Sequence, residues 1–568
     1  MKRLLSNVTR LLFERRYIFL MIGIISVSLF SVGAYKSSYN SDDVSQQTVL
    51  NTWKQNGTTN ETYLTPDPWI LKWPVYEVRQ LLMPENSRKS VLIDSWIQNI
   101  GLLICLFITY RYFTDLILKN KEKLSAKLVS QKFRVFAAWL PFVWFYSLGD
   151  SLFSAFFRMP NTRNFELGIL LLLFAGVHYI YSHFIKQGGL SKKIIALIII
   201  WTIVSSVLFL SDPYCLIFLS ILTISYMVLE ACVRKKVYRI SIFIAGALAV
   251  SIALYYLLKY VMSSVYGIHA AHTSGGLMGL NLIGQSLGLV SWSIGYINGI
   301  DYKDLRILNI VVPLGAALSL GYIILNRRFK TNVIPISFLI TALAVVSAAV
   351  VSGNMVDRTS ARYLVLTVPL VVLILGIGLS KLNINSKARR SVLYGFVGVL
   401  LVVIAVNGSI MVKSAVQTLT HSYSATDVNE NATGTKIANT DMQYINDSAL
   451  VNILDYKIID TLKSKGLTKG YANYWRSNIL TFLSNGSVDV NAIICEGEDR
   501  FPKPYKWLST SEDYRPSGID KSYIVYDDAY LNYATSCNKE KLGEPLERFN
   551  ITSRVIVEVY KGDIARTF

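Results

Sequence analysis

Apolar runs near the roughly 20 residues that a helix needs to cross a bilayer recur along the chain, separated by basic or polar stretches. The first covers Tyr17 to Tyr35. Others are predicted at about 95–110, 135–150 and 167–185, followed by two that close at Ser211-Asp212-Pro213 and at Arg234-Lys235-Lys236. The rest fall at about 240–262, 306–325, 333–351, 363–380 and 391–412. Residues 263–304 interrupt the pattern. Leu277 to Ile297 is apolar but rich in Gly, Ser and Asn, and a crossing there would move Asn326-Arg327-Arg328-Phe329-Lys330 to the side opposite the other basic clusters. The segment is therefore predicted as an outer loop with an interfacial or re-entrant helix, a backbone allowed at membrane depth only where protein or a cavity surrounds it.

The basic loops orient the spans. Lys2, Arg3, Arg10, Arg15 and Arg16 precede the first run, and Arg111, Lys119, Lys121, Lys123, Lys127, Lys132 and Arg134 follow the second. Basic charge gathers on the cytoplasmic side, so the N-terminus is inside. After 412 the pattern changes. Leu450, Ile453, Leu454, Ile458 and Leu462 recur at helical spacing up to Gly466. Val488–Cys495, Tyr523–Tyr526 and Val555–Val559 read as strands. The predicted fold is a polytopic α-helical membrane protein of about eleven transmembrane helices (residues 1–412, N-in/C-out) with a C-terminal extracytoplasmic α/β domain (413–568).

Composition agrees with that class: 568 residues, 52% hydrophobic, with a mean hydropathy of +0.39. Of the net charge of +20, residues 413–568 contribute 18 basic and 20 acidic side chains, so the excess lies wholly in the first 412. Basic charge packed between apolar runs is an orientation signal and argues against a nucleic-acid patch. No small-residue cleavage site closes the first run, so it reads as an anchor. Cys105, Cys215 and Cys232 fall in apolar runs; Cys495 and Cys537 fall in the tail, where an extracytoplasmic setting allows a disulfide.

With topology set, the polar residues sort by side. The first outer loop, 36–94, opens with the adjacent acids Asp42 and Asp43, a few residues past the membrane exit, where charge is avoided unless it has a use. Trp53, Trp69 and Trp73 with Pro66, Pro68 and Pro74 mark this loop as folded against the interface. Other outer span ends hold Asp150, Arg158, Arg163, Glu166, Asp212, His269, His272, Asp357, Arg358 and Arg362. Any one of them is more often a snorkelling or structurally paired charge; together they describe an acidic and basic cavity at the membrane boundary. A carboxylate there can take the proton from an acceptor hydroxyl as it attacks a sugar carbon, while arginines hold the departing phosphate in a bidentate fork. No P-loop or Rossmann fingerprint is present, so no nucleotide sugar is called for.

The acidic pair Asp42-Asp43 directly after the first span resembles the GT-C superfamily of polyprenyl-phosphate-sugar glycosyltransferases, which includes protein mannosyltransferases and lipid A aminoarabinose transferases. Arg163-Asn164-Phe165-Glu166 opening the fourth span, Ser211-Asp212-Pro213 closing the fifth and Arg358-Thr359-Ser360-Ala361-Arg362-Tyr363 entering the tenth resemble bacterial members of that group. The many-span core with an outer α/β domain is similar too. The resemblance implies Asp42 as general base, with Asp43 supporting it or binding a metal. Arg358 and Arg362 would contact the lipid phosphate, and Arg163, Glu166 and Asp212 would shape the cavity. It also implies an inverting transfer from a polyprenyl-phosphate-linked sugar donor to a glycan, lipid or protein acceptor at the outer face of a bacterial plasma membrane. The family's first-loop pair is often Asp-Glu; Asp-Asp here leaves the identity of the base open.

No ligand cluster implies a cofactor: His269-Ala-Ala-His272 offers two ligands, too few for a metal site alone. Tyr474-Trp475-Arg476 in the tail has the chemistry to stack on a sugar, although such aromatics more often serve packing. Two other classes stay open: a transporter or flippase for lipid-linked glycans, which calls for charge inside the spans, and a glycan polymerase or ligase, which relies on Arg and His in large outer loops.

Overall fold

The computed structural model describes residues 15–34, 41–56, 62–64, 70–122, 128–148, 164–270, 280–295, 309–325, 333–352, 363–381, 387–420, 448–495, 500–506, 508–527, 540, 542–552 and 555–568. Its helices are α1 Arg15–Ala34, α2 Ser41–Asn56, α3 Trp73–Leu82, α4 Arg88–Glu122, α5 Leu128–Ser147, α6 Asn164–Gln187, α7 Lys192–Ser211 and α8 Pro213–Arg234. Then come α9 Arg239–Tyr266, α10 Leu280–Gly295, α11 Val311–Leu325, α12 Ile334–Val351, α13 Thr367–Lys381, α14 Lys387–Thr420, α15 Ser448–Ser464 and α16 Tyr474–Leu483. Among the described residues seven helices are long and apolar enough to cross a membrane, and four shorter apolar ones lie at Tyr17–Val32, Val135–Ser147, Val311–Tyr322 and Thr367–Lys381. Each apolar run of the sequence is a helix, and the chain is a polytopic helical membrane protein.

Two compact units divide the chain. The first comprises 1–33, 96–255 and 274–416; the second comprises 34–95, 256–273 and 417–568.

The first unit is a helical bundle with an aromatic centre. Trp139 of α5 is fully buried and stacks on Phe19 of α1 at 5.4 Å, with Phe107 and Tyr110 of α4 at 5.3 and 5.1 Å. Such ring pairs add to the burial of their large apolar areas. The Tyr110 hydroxyl donates to the carbonyl of Ala138 and lies against Gly376 of α13, where a Cβ would meet it at 1.8 Å. Only glycine admits that approach, which lets α5 and α13 pack closely beside α4. Gly168 of α6 would place a Cβ 3.2 Å from the Leu102 backbone of α4.

The second unit is an α/β fold assembled from three segments. Its larger sheet has the order β5-β4-β3-β7-β9-β8, with β3 Lys469–Ala472, β4 Asp489–Ile494, β5 Lys503–Pro504, β7 Lys521–Asp527, β8 Glu547–Asn550 and β9 Val555–Lys561. β4, β3 and β7 are parallel, with α16 as the crossover between β3 and β4; β5, β9 and β8 are antiparallel. The predicted helix and three strands of the tail are α15, β4, β7 and β9. A smaller sheet joins β1 Thr62–Leu64, β2 Ile268–Ala270 and β6 Ser509–Thr510 in the order β2-β1-β6. Residues 36–94 are more ordered than a loop, since α2 and α3 lie within them. The signal was Asn40-Ser41-Asp42-Asp43 followed by Val44, a helix start.

α2 packs against α16. Asn478 Nδ2 donates to Ser45 Oγ at 2.8 Å, and Val44 enters the same core as Ile479, Phe482 and Val490. A second cluster of Val49, Ile268 and Leu508 ties the three segments together. Arg476 forms a buried ion pair with Asp455, so it serves the packing of α16 on α15. Cys495 is disulfide-bonded, Cys105, Cys215 and Cys232 are free, and Cys537 lies outside the described residues.

Asp563 lies just past the end of β9, an interior strand of the sheet. It is buried, and burial alone would raise its carboxyl. The Ser517 hydroxyl, the Ala565 and Ser517 N–H groups and the Tyr471 hydroxyl all donate to it and hold it at about 2. A carboxylate held below its unfolded value stabilises the fold above about pH 4 and ceases to do so as pH falls through its folded value. Asp563→Asn is expected to lower the stability of the full chain by ~1–2 kcal/mol at neutral pH. Thermal unfolding followed against pH checks this: the parent should lose that increment between about pH 4 and pH 2, and the variant should not.

Candidate functional site

The acidic pair is set by helix geometry. Asp42 and Asp43 occupy the first turn of α2, which begins seven residues past the end of α1. Negative charge is favoured at a helix N-terminus by the exposed N–H groups there, and that alone is a structural reason for two acids. The later turns of α2 are clamped: Val44, Ser45, Gln47, Val49 and Leu50 are all buried. The first turn therefore rides on a rigid base, with its backbone fixed in the second unit.

In the first unit, Glu166 and Ser211-Asp212 come together. Asn164 opens α6 and accepts from the Phe165 N–H at 2.8 Å, while its Nδ2 reaches Asn99 Oδ1 of α4 at 3.4 Å. Glu166 sits in the first turn and is fully buried. Ser211 Oγ, at the end of α7, donates to Glu166 Oε1 at 3.1 Å. Asp212 is the hinge between two helices: it ends α7 and caps α8, accepting from the Tyr214 N–H at 3.0 Å, with Pro213 in the first helical position. Asp before Pro at a helix start is strongly favoured, because the side chain satisfies an orphan N–H and proline needs none. The Ser-Asp-Pro motif is thus first a corner, and its serine extends the corner to the buried carboxylate of α6. Arg163, Arg358 and Arg362 lie outside the described residues, as do Asp150, Arg158, His272 and Asp357.

A cavity of about 30 Å³ adjoins this group, lined by Val27, Phe30, Asn99, Leu102, Phe145, Tyr146 and Leu148. That is room for one or two waters and not for a sugar or a phosphate. The buried hydroxyl of Tyr146 makes no hydrogen bond among the described residues and suits a water there.

Other candidates resolve simply. His269 lies in β2 with its Nδ1 3.1 Å from Ser263 Oγ. Among the described residues no three His, Cys, Asp or Glu side chains group as a metal set. Tyr474 is half-buried, with its ring 5.3 Å from Trp475 and 5.5 Å from Tyr505.

Four polar features were missed in the sequence. Asn99 anchors Asn164 from inside the second apolar helix. The Arg79 Nε lies 3.3 Å from Asp94 Oδ2, with both side chains buried. His178 of α6, also buried, has its Nδ1 2.7 Å from Tyr112 Oη, and Glu230 of α8 pairs with Arg234 at 2.5 Å. For Asn99, His178 and Glu230 the available signal was a polar side chain inside an apolar run.

No family model and no curated protein matches the chain. Among solved structures, it is similar to two of the oligosaccharyltransferase from Archaeoglobus fulgidus, both at 12% identity. One, a complex with zinc and sulfate, matches with a TM-score of 0.45 over 83% of this chain and 62% of its own. The other, tethered to an acceptor peptide, matches with 0.42 over 91% and 70%. This chain thus spans less than two thirds of the first neighbour's length. Scores below 0.5 fall short of a shared fold, so function must be read from this chain's own residues.

The corner makes a direct prediction. Asp212→Ala should cost ~1 kcal/mol through loss of the cap, and Asp212→Asn, which can still accept, should retain most of that. Thermal unfolding of the two variants checks it; equal losses would mean that the charge, not the cap, holds the corner.

Proposed function

We propose that this chain is a GT-C-type glycosyltransferase that moves a sugar from a polyprenyl-phosphate donor to a glycan, lipid or protein acceptor at the outer face of a bacterial plasma membrane. The observation that carries the reading is the position of Asp42 and Asp43: two acids on the first turn of a clamped helix, seven residues beyond the first apolar helix. A reactive group must be held rigidly to act, and a lipid-borne leaving group requires that it be held near the membrane.

In this reading one of the two acids takes the proton of the acceptor as its oxygen attacks the anomeric carbon. The bond from that carbon to the phosphate oxygen breaks, and the phosphate leaves with the electron pair, neutralised by Arg358 and Arg362. Arg163, Glu166 and Asp212 shape the cavity. A single displacement inverts the anomeric centre. Asp43, where it is not the base, supports Asp42 or binds a divalent metal.

The second unit supports the expected sidedness. Its three segments share one core and one small sheet, so they lie on one side of the bilayer. Six apolar helices separate 34–95 from 256–273, and four of the eleven lie between 273 and the tail. Both counts are even provided that α10 does not cross, which favours the reading of 263–304 as a loop with a non-crossing helix. The basic loops support an outer face for this unit, and the bonded state of Cys495 fits an oxidising compartment.

Transport of a lipid-linked glycan is the second reading, favoured by His178 and Glu230 buried within apolar helices. The protein reconstituted in liposomes with a radiolabelled polyprenyl-phosphate sugar separates the two. Asp42→Asn or Asp43→Asn, whichever removes the base, is expected to slow transfer by about 100-fold or more with expression unchanged. Full transfer by both variants would remove the acids from the chemistry. Transbilayer movement of the lipid without product would favour transport.

A further inference from the structure

Helix α3 is turned inside out for a helix in water. Lys72, just before its start, and Tyr76 and Arg79 within it are buried, at 0%, 3% and 0% exposure, whereas Val78, Leu81 and Leu82 stand out at 49%, 85% and 71%. The spacing 78, 81, 82 is one face of the helix and 72, 76, 79 the other. The inward face is committed to polar partners. Arg79 Nη1 donates to the Met83 carbonyl at 3.2 Å and to Asn86 Oδ1 at 3.4 Å, and its Nε lies 3.3 Å from Asp94 Oδ2. This face cannot simply roll outward. In water each exposed leucine forgoes the free energy of burying its side chain, and burying a guanidinium adds a desolvation cost. The arrangement is favourable only where the surroundings of the outer face are themselves apolar.

The chain states what those surroundings are. Leu82 is seven residues before Lys89, where the apolar helix Lys89–Thr114 begins. Seven extended residues span at most ~25 Å, so α3 is leashed to a membrane entry. A second leash reaches the same unit: α9 ends at Tyr266, and β2 begins two residues later and pairs with β1, with Thr62 opposite Ile268. The last turns of α9 expose Tyr256, Tyr260 and Tyr266 at 62%, 68% and 41%. Exposed tyrosines at the end of an apolar helix mark headgroup depth. α4 opens with the basic pair Arg88-Lys89, the charge that suits anionic headgroups.

We propose that the Val78–Leu81–Leu82 face of α3 is a membrane-docking surface that lies in the headgroup–acyl boundary of the bilayer. Its inward Arg79–Asp94 pair fixes the helix to the second unit, and its outward leucines fix that unit to the lipid. The inference does not depend on the glycosyltransferase reading, because it follows from exposure and chain connectivity alone.

The test uses the full-length chain in nanodiscs of mixed neutral and anionic phospholipid. A nitroxide is attached through Leu81→Cys, and in a second variant through Leu82→Cys, both positions where a small side chain disturbs no packing. A third label at Lys521→Cys, exposed at the start of β7, provides the aqueous reference, and the parent chain treated identically corrects for native thiols. Collision rates with oxygen, which concentrates in lipid, and with a water-soluble nickel chelate are measured for each. The two α3 labels are expected to be several-fold richer in oxygen collisions, relative to nickel, than the label at 521. Equal ratios at all three positions would put the face in water and overturn the proposal. Immobilised α3 labels shielded from both reagents would mean that protein covers the face, which overturns it equally.

Discussion

The packing of α2 on α16 is the contact on which the second unit depends. A residue 45 hydroxyl meets a residue 478 amide, and Val44 enters a core otherwise built from the tail. Without that contact the stretch after the first apolar helix would be a tether, and the two acids at its head would have no defined place. With it, segments that lie hundreds of residues apart share one hydrophobic core and one three-stranded sheet. Lost chain entropy is offset by burial only when such a core is large; here the apolar faces of α15 and α16 together with the inward side chains of β4, β7 and β9 supply most of it.

Much of the first unit was legible because lipid imposes a simple rule. Every backbone polar group must be satisfied within the segment, so each apolar run becomes a helix, and the basic residues between runs mark the ends. Ser211-Asp212-Pro213 was legible as a span end for the same reason, and its local chemistry, a cap and a proline, is what the structure uses. The tail's α15, β4, β7 and β9 could be read from periodicity. β3 could not: Lys469-Gly470-Tyr471-Ala472 is short and has a glycine at its second position, where the Tyr523 ring lies so close that a Cβ would sit 2.3 Å from it. That glycine is a packing requirement set by a residue more than fifty positions away, which no local pattern reveals.

The site was legible in part. Residue types and their places at span ends pointed to the acids and to Glu166 and Asp212, but the work each performs depends on partners in other helices. Ser211 reaches Glu166 only because the corner between α7 and α8 faces the first turn of α6. Asn99 is an amide in an apolar run until Asn164 is found beside it. The inversion of α3 was hidden for a related reason: Trp73-Pro74-Val75-Tyr76-Glu77-Val78-Arg79-Gln80-Leu81-Leu82 reads as an ordinary amphipathic helix, and nothing in its own sequence says that the arginine is the buried residue.

Catalysis by the acids of α2 on a lipid-borne sugar is the central claim, and the most direct measurement is the structure of the purified protein with a short-chain polyprenyl-phosphate analogue. The account places the phosphate beside Arg358 or Arg362, with the carbon-bearing oxygen within reach of the Asp42 or Asp43 carboxylate. Phosphate bound midway along the apolar helices, remote from both acids and nearer His178, would contradict it and leave the acidic pair as the start of a structural helix.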